Sequence, residues 1–362
     1  MVKNQVRSYQ LSIKIPPGFG VQGSSITNYG AAVLAPKPDK SPGFFKWLFL
    51  IVQQKGSWSP IRVAGEFMRY LTSIGSYREI HKLLKLRPFN EIAQNNPGFA
   101  FKYVVPGYLA RSFTVSERAS CFLHHYRRIH ATLPESALHQ LLQGNITLYE
   151  IFKGGNCFAI TMGLSEPKGH LEGELSLDLR VDGENVFNLS FTIVPGWVVR
   201  SNVAEVLLIS RLQGTLGSRL QIGLIRKAFH EFFPGKLLFA ALQGIAGAFG
   251  IRELIAVSAT NQTSYGEKYA AISKNSYDRF FAALRMVTTS DGFYCISFPI
   301  SSKPLASLMA RNRARARKRR AIRQEIQLAC SAYLFTTVDR AGRSELLTAD
   351  SFHGFTSRRS FP

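Results

Sequence analysis

Apolar residues recur at three- and four-residue spacing over Arg62–Ile74, Tyr77–Leu86 and Ser116–Ile129, which predicts helices within a helical stretch from about Phe44 to Leu142. Thr114-Val-Ser-Glu117 has the form of a capping box, with Thr114 as N-cap of the third of these. The period then falls to two over Cys157–Met162, Glu174–Val181 and Val186–Ile193, so strands with one apolar face are expected there. Asp182-Gly183 between the last two is a hairpin signal. Val203–Ser210 is more uniformly apolar and reads as a strand near the sheet centre. A turn with Gly214 and Gly217 leads into a periodic stretch, Leu220–Phe233, which Pro234-Gly235 breaks. A further helix, Lys236–Phe249, ends at Gly250, and strands follow at Ile251–Ser258 and Asp291–Phe298.

Strand, turn, helices and strand make an α/β crossover. The expected class is α+β: a helical N-terminal region, then a mixed sheet with crossover helices and a basic C-terminal helix. The divisions read as a turn-rich leader at 1–43, a helical region at 44–150, a sheet core at 151–335 and a tail at 336–362.

Charge changes this picture most between residues 311 and 323. Arg311, Arg313, Arg315, Arg317, Lys318, Arg319, Arg320 and Arg323 stand among alanines with no acidic neighbour. At 3.6 residues per turn such charge wraps the helix, so its middle belongs against phosphate or water. Leu305, Leu308, Met309, Ile322, Ile326 and Leu328 on either side are candidates to pin its ends. The whole chain of 362 residues carries 45 Lys plus Arg against 23 Asp plus Glu, a net +22, which points to an anionic partner. No aromatic residue lies between 305 and 330, so a lipid headgroup or an anionic small molecule fits better than RNA.

Other signals exclude more than they suggest. Cys121, Cys157, Cys295 and Cys330 are dispersed, and no zinc spacing, phosphate-loop or dinucleotide fingerprint occurs, so no metal is expected. The N-terminus lacks an apolar signal core, and a cytoplasmic location follows as the expectation. Phe44–Val52 is too short to span a bilayer, but Lys46, Trp47 and Lys55 suit peripheral contact at its inner face.

Several segments together resemble the VirK/YbjX family of Gram-negative bacteria. They are Ser112–Arg118 with His125-Tyr126, Gly173–Leu177 with Leu189–Ile193, Ala240–Gln243 with Gly250-Ile251 and Ala256–Ser258, and Ser276–Phe280 with Asp291–Phe293. The resemblance implies a role in virulence, resistance to cationic antimicrobial peptides and envelope remodelling, but no known reaction. Phe281 stands where a Trp is usual in that family.

The order of strands and the Arg211-Leu-Gln-Gly-Thr-Leu-Gly217 segment also resemble the GNAT acyltransferases, although Leu216 shifts the glycine spacing by one. That resemblance implies an acyl-CoA donor whose pyrophosphate rests on the turn and the next helix N-terminus. Arg211, Gln213, Gly214, Gly217 and Arg219 are then the candidate donor contacts. Tyr265, Tyr269 and Tyr277 are candidate general acids and Glu205 a candidate base, and each fits a packing or surface role as well. His124 and His125 point about 100° apart on a helix and read as structural.

Overall fold

The structure, a computed structural model, describes Gly65 and residues 74–352 except 97, 166–170, 266–276, 299 and 301–303; for 74 and 336–352 it describes the backbone alone. The leader, the Phe44–Val52 segment, most of the first expected helix and Tyr269 lie outside the described residues.

Four helices come first: α1 (Ile74–Leu83), α2 (Phe89–Asn95), α3 (Val115–Thr132) and α4 (Glu135–Gln143). The capping box expected at Thr114 starts α3. The Thr114 backbone N–H donates to Glu117 at 2.7 Å, and the Glu117 N–H donates to Thr114 Oγ1 at 3.3 Å. Cys121, Phe122, His125, Tyr126 and Ile129 then recur on one buried face, which packs on the sheet.

The sheet has eight strands: β1 (Ile146–Lys153), β2 (Asn156–Leu164), β3 (Leu175–Val181), β4 (Glu184–Pro195), β5 (Glu205–Gly214), β6 (Glu253–Val257), β7 (Val287–Thr288) and β8 (Phe293–Ser297). Their order is β1-β2-β3-β4-β5-β6-β8-β7. All neighbours are antiparallel except β5 and β6, which run parallel over Leu207–Ile209 and Leu254–Ala256. Asp182 and Gly183 both take positive φ, 51° and 85°, as a two-residue hairpin of matching twist requires.

Helices α5 (Arg219–Ala228) and α6 (Pro234–Phe249) form the crossover from β5 to β6. α6 is apolar on nearly every side because the sheet covers one face and α8 (Ala310–Phe352) the other. Gly244 permits the close crossing: a Cβ there would lie 2.3 Å from the Gln327 carbonyl oxygen. Ile322, Ile326, Cys330 and Leu334 give α8 its buried stripe, and Tyr149 Oη donates to Glu325 at 2.8 Å across to β1. Between β6 and β7 lies the short helix α7 (Arg279–Ala283).

Several boundaries differ from the sequence reading. β1 takes residues 146–150 of the stretch assigned above to the helical region. Pro234 opens α6 at its first turn instead of breaking a helix, since that position needs no backbone donor. The segment Arg211–Gly214 is strand, with Gly214 opposite Phe187, so the bend begins only at Thr215. Met309 and Leu328 are exposed and pin nothing, whereas Ile322 and Ile326 are buried.

Candidate functional site

The parallel pair sets the site. Pairing between β5 and β6 ends at Ile209 and Ala256, yet β5 runs on for five residues, paired among the described residues with β4 alone. At the point of parting, a bulge removes Ser210 from the β4 register. The chain after β6 turns at Ala259–Asn261, and Gln262 Nε2 reaches back to donate to the Ser210 carbonyl at 3.2 Å. The Ser210 hydroxyl beside this gap is buried without a hydrogen-bond partner among the described residues, and the buried Tyr277 hydroxyl lies against the Gln262 side chain.

Two charged groups join them. Arg211 Nε lies 3.5 Å from Glu172, and both side chains are largely buried. The other Glu172 oxygen, Oε1, is buried without a hydrogen-bond partner among the described residues. Burial drives the Tyr277 phenol well above its ordinary value, the neighbouring Gln262 side chain offsets part of that, and the Glu172 and Asp278 charges add to it. Tyr277 therefore stays protonated throughout the neutral range. Asp278 is held in place by accepting the Ala259 backbone N–H at 2.9 Å.

The bend at the end of β5 is open to solvent. Thr215 N–H donates to the Val186 carbonyl at 2.9 Å, and Ser218 Oγ bonds the Thr215 and Val186 carbonyls at 2.6 and 3.2 Å. Gly217 takes φ of 85° with nothing within 4 Å of where a Cβ would stand. α5 starts at Arg219, so the amides of its first turn face outward, as helix N-terminal amides do when uncapped. Leu216 and Leu220 beside them are exposed.

The candidate residues thus separate. Tyr277 and Arg211 meet at the gap, while Gln213, Gly214, Gly217 and Arg219 follow the strand out to the bend. Tyr265 lies against Arg111, whose guanidinium is 5.7 Å from its ring. Glu205 is at the far end of β5, roughly 30 Å from Gly214 at strand rise. Its carboxylate accepts from Arg128 Nε at 2.9 Å and contacts His124 Nε2 at 3.0 Å, tying α3 to the sheet. The structure does not bring Glu205 to the bend. Glu172, Ser210 and Gln262 carried no motif and were not expected, since Glu172 stands in a polar stretch, 165–174, that gives no sign of its burial.

A second polar cluster lies wholly inside the protein. Glu174 is fully buried and accepts from Tyr108, Tyr126 and Lys102, the last at 3.3 Å. Burial alone would raise the Glu174 carboxyl, but Lys102, His125 and the two tyrosine hydroxyls together hold it below the usual range. His125 Nδ1 accepts the Ile193 backbone N–H at 3.2 Å, so the ring proton sits on Nε2. Burial lowers the His125 pKa to about 4, and the ring is neutral. With no exposed atom, this cluster organises the core under α3 and offers no place for a substrate.

The basic run lies on α8. Arg313 turns back to donate to the Leu308 and Ala306 carbonyls, and Arg319 donates to the His230 and Glu231 carbonyls at 2.9 Å each. Arg319, Arg320 and Arg323 are half-buried, whereas Arg311, Arg313, Arg315, Arg317 and Lys318 are exposed.

One family matches the chain over residues 63–332, a protein family of unknown function, DUF535. The chain belongs to the DUF535 family. VirK/YbjX proteins are members of it, so the match is consistent with the resemblance drawn from Ser112–Arg118 and the segments after it. The matched span of this DUF535 protein takes in the gap, the bend and the basic run. No curated protein and no solved structure matches the chain. Among the described residues, no helix is long and apolar enough to cross a membrane.

Proposed function

We propose that this DUF535 protein is a GNAT-like acyltransferase that moves an acyl group from an acyl-CoA-type donor to an anionic acceptor. The observation that carries the reading is the parting of β5 from β6 next to the buried Ser210 hydroxyl and Glu172 Oε1, which have no hydrogen-bond partner among the described residues. Ligands of open sheets settle where the carboxyl ends of parallel strands diverge. The edge of β5 beyond Ile209, unpaired among the described residues, suits the amides of a pantetheine arm, and the bend at Thr215–Ser218 with the α5 N-terminus suits a pyrophosphate. In this reading an acceptor amine or hydroxyl attacks the thioester carbonyl and gives its proton to Glu172. The C–S bond breaks, and Tyr277 protonates the departing thiolate while recovering a proton from Glu172, so that both side chains end as they began. Arg211 is a positioning residue that holds Glu172. Through the VirK/YbjX resemblance, the acceptor is an envelope component or its precursor. That places the reaction in envelope remodelling, with consequences for virulence and resistance to cationic antimicrobial peptides. The expected location is cytoplasmic, at the inner face of the membrane.

The test is calorimetric titration of acyl-CoA into the full chain and two variants. Gly217→Val and Gly183→Val carry the same backbone strain, since both glycines have φ of 85° and open space around them. Saturable binding should weaken about tenfold or more in the first and stay within about twofold in the second. No saturable binding in the parent protein, or equal losses in both variants, contradicts the reading.

A second reading, non-catalytic binding of an anionic membrane or RNA through α8, draws on the density of arginine there. It predicts affinity that falls steeply with salt for either polyanion, and no acyl-CoA turnover.

A further inference from the structure

A cleft of about 740 Å³ opens between α8, the N-terminal half of α6 and the end of β8. That is within the size range of pockets that enclose small ligands. Its cationic groups are Lys236, Arg285, Arg315, Arg319, Arg320 and Arg323, and none of its described lining residues is acidic. Its apolar wall is Phe232, Phe239, Leu284, Ile296, Ile300 and Leu308.

Helix geometry selects these arginines from the basic run. Positions 315, 319 and 323 are one turn apart, as are 316 and 320, so they share a face with Asn312. Arg311, Arg317 and Lys318 point elsewhere and do not line the cleft. The cations also crowd one another. Burial, followed by the charges of Arg319 and Arg323, lowers the Lys236 pKa, and burial followed by Arg320 does the same to Arg323. Like charges gathered beside an apolar wall favour a ligand that carries negative charge together with apolar surface of its own.

We propose that this cleft binds a phosphorylated single-chain amphiphile, with the phosphate between Lys236 and the Arg319–Arg323 face and the acyl chain along Phe239, Leu284, Ile296 and Ile300. Such a ligand matches both halves of the lining, whereas a free anion leaves the apolar wall wet and a neutral lipid brings no charge to a lining with six cationic and no acidic described residues. As an acceptor site the cleft rests on the acyl-transfer reading; as a binding site it does not.

The experiment titrates the full chain with palmitoyl lysophosphatidic acid below its micellar concentration, at about 0.15 M salt. Monopalmitoylglycerol and inorganic phosphate serve as the two half-ligands. Two double variants remove the same charge: Lys236→Gln with Arg323→Gln inside the cleft, and Arg311→Gln with Arg317→Gln outside it. The inference expects one-to-one binding, weakened about tenfold or more by the first pair and by about twofold or less by the second. Each half-ligand should bind at least about tenfold more weakly than the whole. Equal losses from both pairs, a half-ligand as tight as the whole, or no saturable binding would overturn it. The donor is absent throughout, so failure here leaves the acyl-CoA titration to stand or fall by itself.

Discussion

Glu174 shows how far one side chain can be committed to structure. It holds two tyrosines and a lysine that lie 66, 48 and 72 residues away in sequence, and no local motif announces any of them. Replacing it by leucine leaves Lys102 without its buried carboxylate and should cost about 3–5 kcal/mol in urea unfolding. Tyr126→Phe removes one hydrogen bond and should cost only about 1 kcal/mol. If Glu174→Leu proved as mild as Tyr126→Phe, the cluster would not be the anchor described. His125 gives the pH dependence. Its folded pKa of about 4 lies below the ordinary 6.5, so between those values the unfolded chain binds a proton that the folded one refuses. Stability is therefore full above pH 6.5 and declines as pH falls toward 4, by up to roughly 3 kcal/mol. Urea midpoints at pH 7.5 and 5 should differ, and His125→Gln should flatten the difference. A parent protein equally stable at both would contradict the buried neutral ring. Glu174 adds its own loss only below the ordinary carboxylate value, because its folded pKa is depressed.

Among elements, those with a strong local signal were legible. The α3 capping box, the Asp182-Gly183 hairpin and the β5-to-β6 crossover all rest on residues adjacent in sequence. β1 was hidden because a bulge between Thr147 and Tyr149 leaves Leu148 and Tyr149 both buried. Two neighbouring buried residues break the alternation that marks a strand. The site was less legible, since Glu172, Ser210 and Gln262 meet only when β5 and β6 part. The α6–α8 crossing carries a prediction at this scale. At Gly244 a valine must displace the Gln327 carbonyl, and overpacking of this kind costs about 1–3 kcal/mol. Gly247 lies on the same helix with nothing within 4 Å of its Cβ position. Gly247→Val should therefore leave the melting temperature nearly unchanged while Gly244→Val lowers it, and equal effects would contradict the close crossing.

At the scale of the molecule, net charge of +22 makes any polyanion, acyl-CoA included, prone to adhere to α8. Affinity alone therefore does not locate the donor. Hydrogen exchange on the full chain with and without acyl-CoA does. The account predicts slowed exchange at amides of the bend and the first turn of α5, residues 215–222, and at 258–262 beside the gap, whether or not α8 is protected as well. Protection confined to 311–323, with none at the bend, would contradict it.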